Sequence, residues 1–226
     1  MRIPIFIAAS LSIVPTPASA AAFVDEAAWR AAVFDVYGLE IFDALPAGSD
    51  VNTLPALGIR FLPLNDGTQP TVQAYANTGG VVKSGPNNLL NDRDFSLPAR
   101  GPINVVPLNL GDSIFGLGMW NVGGDDQLRL TFYDSSGGII EQVTSAPSFG
   151  FFGIVNSMGA ARAEVDFVGG NGYAPTDDWQ AAARRVIVPG AVPEPSTWAM
   201  MLLGFGFVGG GMRSAKRRQK VTVSYA

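Results

Sequence analysis

The 226-residue chain contains neither cysteine nor histidine. Without cysteine it can form no disulfide, no catalytic thiolate and no zinc–thiolate site. Without histidine it can build no Ser-His-Asp or Cys-His site, and it lacks the usual general base near neutral pH. Any bound metal ion would need oxygen ligands, which favour Ca²⁺ or Mg²⁺. The chain must therefore be held together by an ordinary apolar core.

Charge is also scarce, and its distribution is uneven. Charged residues make up 15% of the chain and hydrophobic residues 47%. Residues 21–191 hold nine basic and 18 acidic residues. The other six basic residues lie near the two ends of the chain. Such an acidic body repels phosphate backbones, so we predict no nucleic-acid partner.

The first 20 residues have the pattern of a secretory leader. Arg2 supplies a positive start, and residues 3–14 are mostly apolar. Ala18 and Ala20 then provide the small residues that signal peptidase requires, with Ser19 between them. We predict cleavage after Ala20 and export of residues 21–191 as one domain.

A second apolar segment, residues 198–212, lies near the other end and carries no charge. A helix over this segment would measure about 22 Å, which is short against the ~30 Å hydrocarbon core of a bilayer. The positive-inside rule places the basic residues that follow on the cytoplasmic side. We predict a single transmembrane helix that anchors the precursor in the inner membrane, stopped by Arg213, Lys216, Arg217, Arg218 and Lys220.

The residues before this segment contain a protease-readable motif. Pro193, Glu194 and Pro195 are followed by Trp198 and Ala199. The two prolines keep the backbone extended just outside the membrane. The three-part arrangement over residues 192–220 resembles the PEP-CTERM sorting signal in its PEPxxWA variant. That resemblance implies recognition and cleavage by an exosortase, followed by release or transfer to the cell surface or extracellular polysaccharide. The alternative is a plain C-terminal anchor.

The body between the two ends reads as a short helix followed by strands. Asp25 is a suitable N-cap for a helix that extends to about Phe34. Beyond Gly38, short alternating apolar runs are separated by turn residues, which favours an all-β, jelly-roll-like antiparallel β-sandwich. The predicted strands are 40–44, 58–62, 71–74, 103–108, 114–122, 127–134, 139–144, 149–155, 161–168 and 185–188.

The body also resembles, through weaker motifs, a domain common in PEP-CTERM proteins. The motifs are the Gly116-x-Gly118-x-Trp120 strand, the Tyr133-Asp134-x-x-Gly137 turn, Phe151-Phe152-Gly153-Ile154 and the pair Asp177-Asp178. The resemblance implies a lectin-like sandwich and names no ligand.

Two aspartate pairs are candidates for a Ca²⁺ site. Asp125-Asp126 and Asp177-Asp178 occur in segments that read as polar loops. No fixed ligand spacing such as D-x-D-x-D-G accompanies either pair, so solvated turn aspartates are the favoured interpretation. We therefore predict no cofactor, with Ca²⁺ as the alternative.

Four aromatic residues are candidates for stacking on sugar rings: Tyr75, Trp120, Tyr173 and Trp179. Trp120 lies in an apolar strand and favours the core. Tyr173 and Trp179 lie in a Gly/Pro/Asp-rich segment, which makes them the better candidates for exposure, although packing is favoured even there. A carboxylate pair at glycosidase separation is expected by chance among 18 acidic residues, and nothing singles one out.

These observations predict an exported, non-enzymatic protein of the cell surface or exopolysaccharide matrix, sorted by an exosortase after signal peptidase cleavage. Extracellular polysaccharide is the expected partner. The alternatives are a Ca²⁺-dependent carbohydrate-binding module and, less favoured, a secreted glycan-active hydrolase.

Overall fold

The computed structural model describes residues 20–33, 37–92, 100–123, 127–169 and 172–182. Within these residues the chain forms two antiparallel sheets, of seven and six strands, packed face to face. The predicted β-sandwich is thereby confirmed. The predicted strand 185–188 and the sorting segment 192–220 lie outside the described residues, as does the predicted leader apart from Ala20.

The strands are numbered in chain order: β1 Ala21–Phe23, β2 Gly38–Glu40, β3 Thr53–Leu54, β4 Ile59–Phe61, β5 Thr71–Ala74, β6 Asn87–Leu90, β7 Ile103–Pro107, β8 Ile114–Asn121, β9 Leu128–Tyr133, β10 Ile139–Thr144, β11 Gly150–Ala160, β12 Arg162–Phe167 and β13 Thr176–Ala182. The seven-stranded sheet has the order β1-β11-β8-β13-β6-β5, and β2 also pairs with β13. The six-stranded sheet has the order β10-β9-β12-β7-β4-β3.

The alternation of apolar and polar residues in β9 matches the two faces of this strand. Leu128, Leu130 and Phe132 are fully buried in the core between the sheets. Arg129 and Tyr133 alternate with them and lie on the outer face, where they are only half-buried. Strand β12 repeats the pattern, as its sequence predicts, because successive side chains of a strand point to opposite faces.

The predicted N-terminal helix is present as α1, Glu26–Ala32. Asp25 caps it as expected, since its Oδ1 accepts a hydrogen bond of 2.7 Å from the Ala28 amide. A second helix of one turn, α2, spans Tyr75–Thr78, and a 3₁₀ turn spans Pro55–Leu57.

Helix α1 packs on the outer face of the seven-stranded sheet through Trp29. The indole lies on a glycine channel formed by Gly116, Gly118 and Gly153, from the paired strands β8 and β11. Its Nε1 donates to the Ile154 carbonyl at 3.2 Å, so the one polar atom of this fully buried side chain is satisfied. The glycines of the Gly116-x-Gly118 motif therefore provide space for a tryptophan from a distant segment.

Several elements in the described residues differ from the prediction. Strands β1 and β3 and helix α2 were not predicted, and β2 shares only Glu40 with the predicted strand 40–44. Asn87–Leu90, which is not among the predicted strands, forms β6, with all four residues buried. Thr176–Ala182 was expected to be loop but forms β13, which lies between β8 and β6 in the seven-stranded sheet and has all seven residues buried. Both lack the alternation that indicates a half-buried strand, because each is covered on its two faces.

We expect Gly153→Ala to lower the free energy of unfolding by about 1–3 kcal/mol, the usual cost of overpacking. The new methyl would lie 2.7 Å from Trp29 Cδ1 and 2.9 Å from Nε1. In a Trp29→Leu background the same substitution should cost much less, because the smaller side chain vacates the channel. Urea unfolding of the four proteins of this cycle measures the coupling. Equal costs in the two backgrounds would show that Trp29 is not held by the glycines.

Candidate functional site

Asp177 and Asp178 form a carboxylate pair on the outer face of the seven-stranded sheet. They lie at a β-bulge, where the register between β13 and β8 shifts, and Asp178 has a positive φ of 47°. Asp177 is fully buried and Asp178 is 8% exposed. The prediction of solvated loop aspartates is therefore wrong for this pair, because β13 is an interior strand covered by the segment that follows α2.

The Asp177 carboxylate is surrounded by hydrogen-bond donors. Its Oδ2 accepts from the Tyr75 hydroxyl at 2.7 Å, from the Ser84 amide at 3.1 Å and from Ser84 Oγ at 3.0 Å. Its Oδ1 accepts from the Asp178 amide at 2.8 Å. These bonds fasten the segment after α2 to β13.

Ser84 links the two carboxylates through a single hydroxyl. Its Oγ lies 3.0 Å from Asp177 Oδ2 and 2.7 Å from Asp178 Oδ1. A hydroxyl has one proton to donate, so satisfying both contacts requires a proton on one carboxyl. Burial raises the pKa of Asp177 to about 6 against the lowering effect of its hydrogen bonds, with a further rise from Asp178, so Asp177 can hold that proton below about pH 6. Burial and the Asp177 contact also raise the pKa of Tyr75.

Glu26 on α1 connects the helix to the same strand. Its carboxylate contacts Arg30 at 2.5 Å and the Gln180 amide nitrogen at 2.5 Å. It also accepts from Trp120 Nε1 at 3.3 Å and lies 3.8 Å from Lys83 Nζ. Glu26 thus contacts two cations and an amide, and these contacts connect α1 to β13 and to the segment after α2.

Trp120 is half-buried on this outer face rather than in the core between the sheets. Lys83 Nζ lies over its ring at 4.2 Å from the centroid, and Phe149 lies 4.8 Å away at a tilt of 37°. The ring is therefore engaged in a cation–π contact and an aromatic pair. These contacts occupy the surface that a sugar would need for stacking.

The other three aromatic candidates are buried in the protein. Trp179 is fully buried, packs against Phe61 at 5.3 Å and donates through Nε1 to Thr176 Oγ1 at 2.9 Å. Tyr75 and Tyr173 are each 6% exposed. Packing, the favoured interpretation of Tyr173 and Trp179, is confirmed.

The described residues contain no group of three or more acidic side chains placed to hold a metal ion. Asp125-Asp126 lies outside them. A cavity of about 490 Å³ opens near the start of β2 and the end of β13. Asp112 is the one carboxylate among its lining residues, and it accepts a hydrogen bond of 3.0 Å from Asn109.

The predicted sorting motif lies outside the described residues; it comprises Pro193, Glu194, Pro195, Trp198 and Ala199. The basic cluster also lies outside them; it comprises Arg213, Lys216, Arg217, Arg218 and Lys220. Across the described part of the chain, no helix has the length and apolar character needed to cross a membrane.

Sequence reasoning missed the residues that surround the carboxylate pair. The i,i+4 spacing of Glu26 and Arg30 could have indicated their ion pair on α1. Ser84 and Lys83 carry no such signal, because they lie more than 90 positions from the aspartates that they contact.

We expect the stability of the protein to fall between pH 4 and pH 6 through Asp177. Its folded pKa of about 6 lies above the ~3.9 of an unfolded aspartate, so the folded state holds the extra proton in this window. Stability from this group is complete below about pH 4 and is lost as the pH rises to about 6, on the order of 2–3 kcal/mol in total.

Asp177→Asn should remove this slope in urea unfolding measured at several pH values. Asp134→Asn is the matched control. Hydrogen bonds from Ser136 and Gly138 lower the pKa of Asp134, so its contribution is lost only as the pH falls below about 4. Parallel curves for wild type and Asp177→Asn would refute the assignment.

Three solved structures match part of this chain at low similarity. The K2 cleaved adhesin domain of Lys-gingipain matches at 9% identity and a TM-score of 0.43, covering 65% of this chain and 99% of that one. A DUF4465 family protein from Bacteroides caccae ATCC 43185 matches at 14% identity and a TM-score of 0.36, covering 65% and 92%. TmCBM61, solved with beta-1,4-galactotriose, matches at 10% identity and a TM-score of 0.29, covering 71% and 98%.

No curated protein matches the sequence of this chain. A family model does match its C-terminal part: the PEP-CTERM protein-sorting motif is found at residues 191–218. This range contains the Pro193-Glu194-Pro195 motif, the apolar segment and most of the basic cluster. The chain therefore carries the PEP-CTERM protein-sorting motif, which marks it as an exported exosortase substrate.

Proposed function

We propose that this chain is a non-enzymatic component of the cell surface or the exopolysaccharide matrix, with a structural or adhesive role. The observation that carries the proposal is the sorting motif at residues 191–218, placed after a β-sandwich in a chain that has no cysteine or histidine. The motif accounts for export and processing, and the sandwich is the part that remains to act outside the cell.

The proposed route to the surface follows the order of the segments. Signal peptidase removes residues 1–20, and residues 198–212 hold the precursor in the inner membrane with the basic cluster on the cytoplasmic side. The exosortase then cleaves near Pro193-Glu194-Pro195. The domain of residues 21–191 is released or attached to extracellular polysaccharide.

The chemistry of the described residues supports a role other than catalysis. The closest carboxylate pair on the sheet face, Asp177 and Asp178, is buried and held by Tyr75 and Ser84. A general acid must reach its substrate, and these groups instead fasten two segments of the fold together. The cavity beside β2 offers one carboxylate, whereas glycoside hydrolysis ordinarily uses two.

Processing of the tail tests the proposal in a host that carries an exosortase. With the protease present, the external fraction should contain a chain shortened by the segment after the motif. With the protease deleted, the full-length precursor should accumulate in the inner membrane. Intact mass and an antibody against the domain distinguish the two forms.

Substitution of the motif gives the matched comparison. The double substitution Pro193→Ala and Pro195→Ala should block processing, because the backbone before the membrane is no longer held extended. Pro189→Ala, upstream of the motif, should be processed like wild type. A cytosolic protein, or one that keeps its tail whether or not the protease is present, would overturn the proposal.

A further inference from the structure

The outer face of the six-stranded sheet carries an array of polar side chains, which we call the polar face. It is defined by Arg60, Arg129, Tyr133, Arg162, Glu164 and Asp166. Their strand neighbours point into the core, so these side chains all lie on one side of the sheet. Both described helices contact other strands, namely β1, β11 and β5, and leave this side uncovered among the described residues.

Strand pairing aligns these side chains in rows across the sheet. Gln142 lies opposite Thr131, Thr131 opposite Glu164, and Glu164 opposite Asn104. The next row brings Tyr133 opposite Arg162, and a third brings Arg129 opposite Asp166. The rows present amides, hydroxyls, carboxylates and guanidinium groups side by side.

Several of these side chains are fixed by one another. The Arg162 guanidinium stacks on the Tyr133 ring at 3.7 Å and contacts Glu164 at 2.8 Å. The Tyr133 hydroxyl donates to Glu164 at 3.0 Å, and Arg162 also donates to Asn104. Ordering before binding reduces the conformational entropy lost when a ligand binds.

The polar face differs in charge from the rest of the domain. It holds three of the six lysine and arginine residues among those that the structure describes, with two carboxylates. The other described residues hold three basic and 12 acidic side chains. The face is therefore a positive surface on an acidic protein, which attracts an anionic ligand and repels a second polar face.

Two arginines on this face retain unused donors. Arg60 is exposed and forms no salt bridge in the described part of the chain. Arg129 bonds Asp166 at 3.0 Å through Nη2, while its buried Nε has no hydrogen-bond partner within the described residues. Arg60 is exposed and the Arg129 side chain is 38% exposed, so a ligand carboxylate can reach both guanidinium groups.

We propose that the polar face binds an acidic polysaccharide, one whose sugar rings carry carboxylate groups. Guanidinium groups match carboxylates with paired hydrogen bonds, while Asn104 and Gln142 can bond ring hydroxyls. The rows of polar side chains suit an extended chain, and pairing of two copies through this face would place positive charge against positive charge. The proposal extends the proposed matrix role, from which it takes the exported location.

The test uses the full chain in a polyoxyethylene detergent, whose headgroup carries neither charge nor sugar. The probes are polygalacturonate and the same polymer with its carboxylates methyl-esterified, compared by thermophoresis. We expect polygalacturonate to bind at least about tenfold more tightly than the ester, since only the acid offers charge-assisted hydrogen bonds. Added salt should weaken this binding.

Arg60→Gln should weaken binding to polygalacturonate by about three- to tenfold, the effect of one solvent-exposed charged contact. Arg30→Gln, which removes the same charge from α1 on the opposite sheet, is the control and should bind like wild type. Equal binding of acid and ester, equal weakening by the two substitutions, or no binding by folded wild type would each overturn the proposal. Melting temperatures confirm folding, and the outcome is independent of tail processing.

Discussion

The seating of Trp29 on the glycine channel is the contact on which the outer layer of this sandwich depends. A side chain of this size can lie flat on a sheet only where Gly116, Gly118 and Gly153 leave out their Cβ atoms. Its position fixes α1, and α1 in turn places Glu26 beside Lys83 and Gln180. Trp29 thus locates α1 and its polar contacts on that face through a close approach to three glycines.

Beyond the helix, the same face is secured by polar contacts rather than by apolar ones. Asp177, Ser84 and Tyr75 connect the segment after α2 to β13 through hydrogen bonds in which Asp177 is fully buried and Ser84 is half-buried. A buried polar network of this kind is stable only when its members are mutually satisfied, and it then specifies one arrangement of the chain. Within the described residues the two faces of the sandwich therefore differ: one is covered by a helix and a buried network, and the other is ordered, polar and uncovered.

Local signals in the sequence predicted the local features. The N-cap at Asp25 and the alternation in β9 each depend on residues within one turn or one strand, and both are confirmed. Strand β13 was missed because Asp177 and Asp178 read as turn residues, and their burial depends on Ser84 and Tyr75, which are remote in sequence. The sequence showed the motif Gly116-x-Gly118, but the role of its glycines depends on Trp29, which packs on them and is remote in sequence. The features that the sequence analysis missed depend on contacts between residues far apart in the chain, which local propensity does not report.

The order of the strands constrains when the exported chain can fold. Strand β1 begins directly after the predicted cleavage point and pairs with β11, about 130 positions later. Strand β13, which joins β8 to β6, is the last described element before the tail. Neither the first strand nor the helix after it has a partner until nearly the whole domain has crossed the membrane. On export, the seven-stranded sheet can therefore close only once β13, the last described strand, is available to pair with β8 and β6.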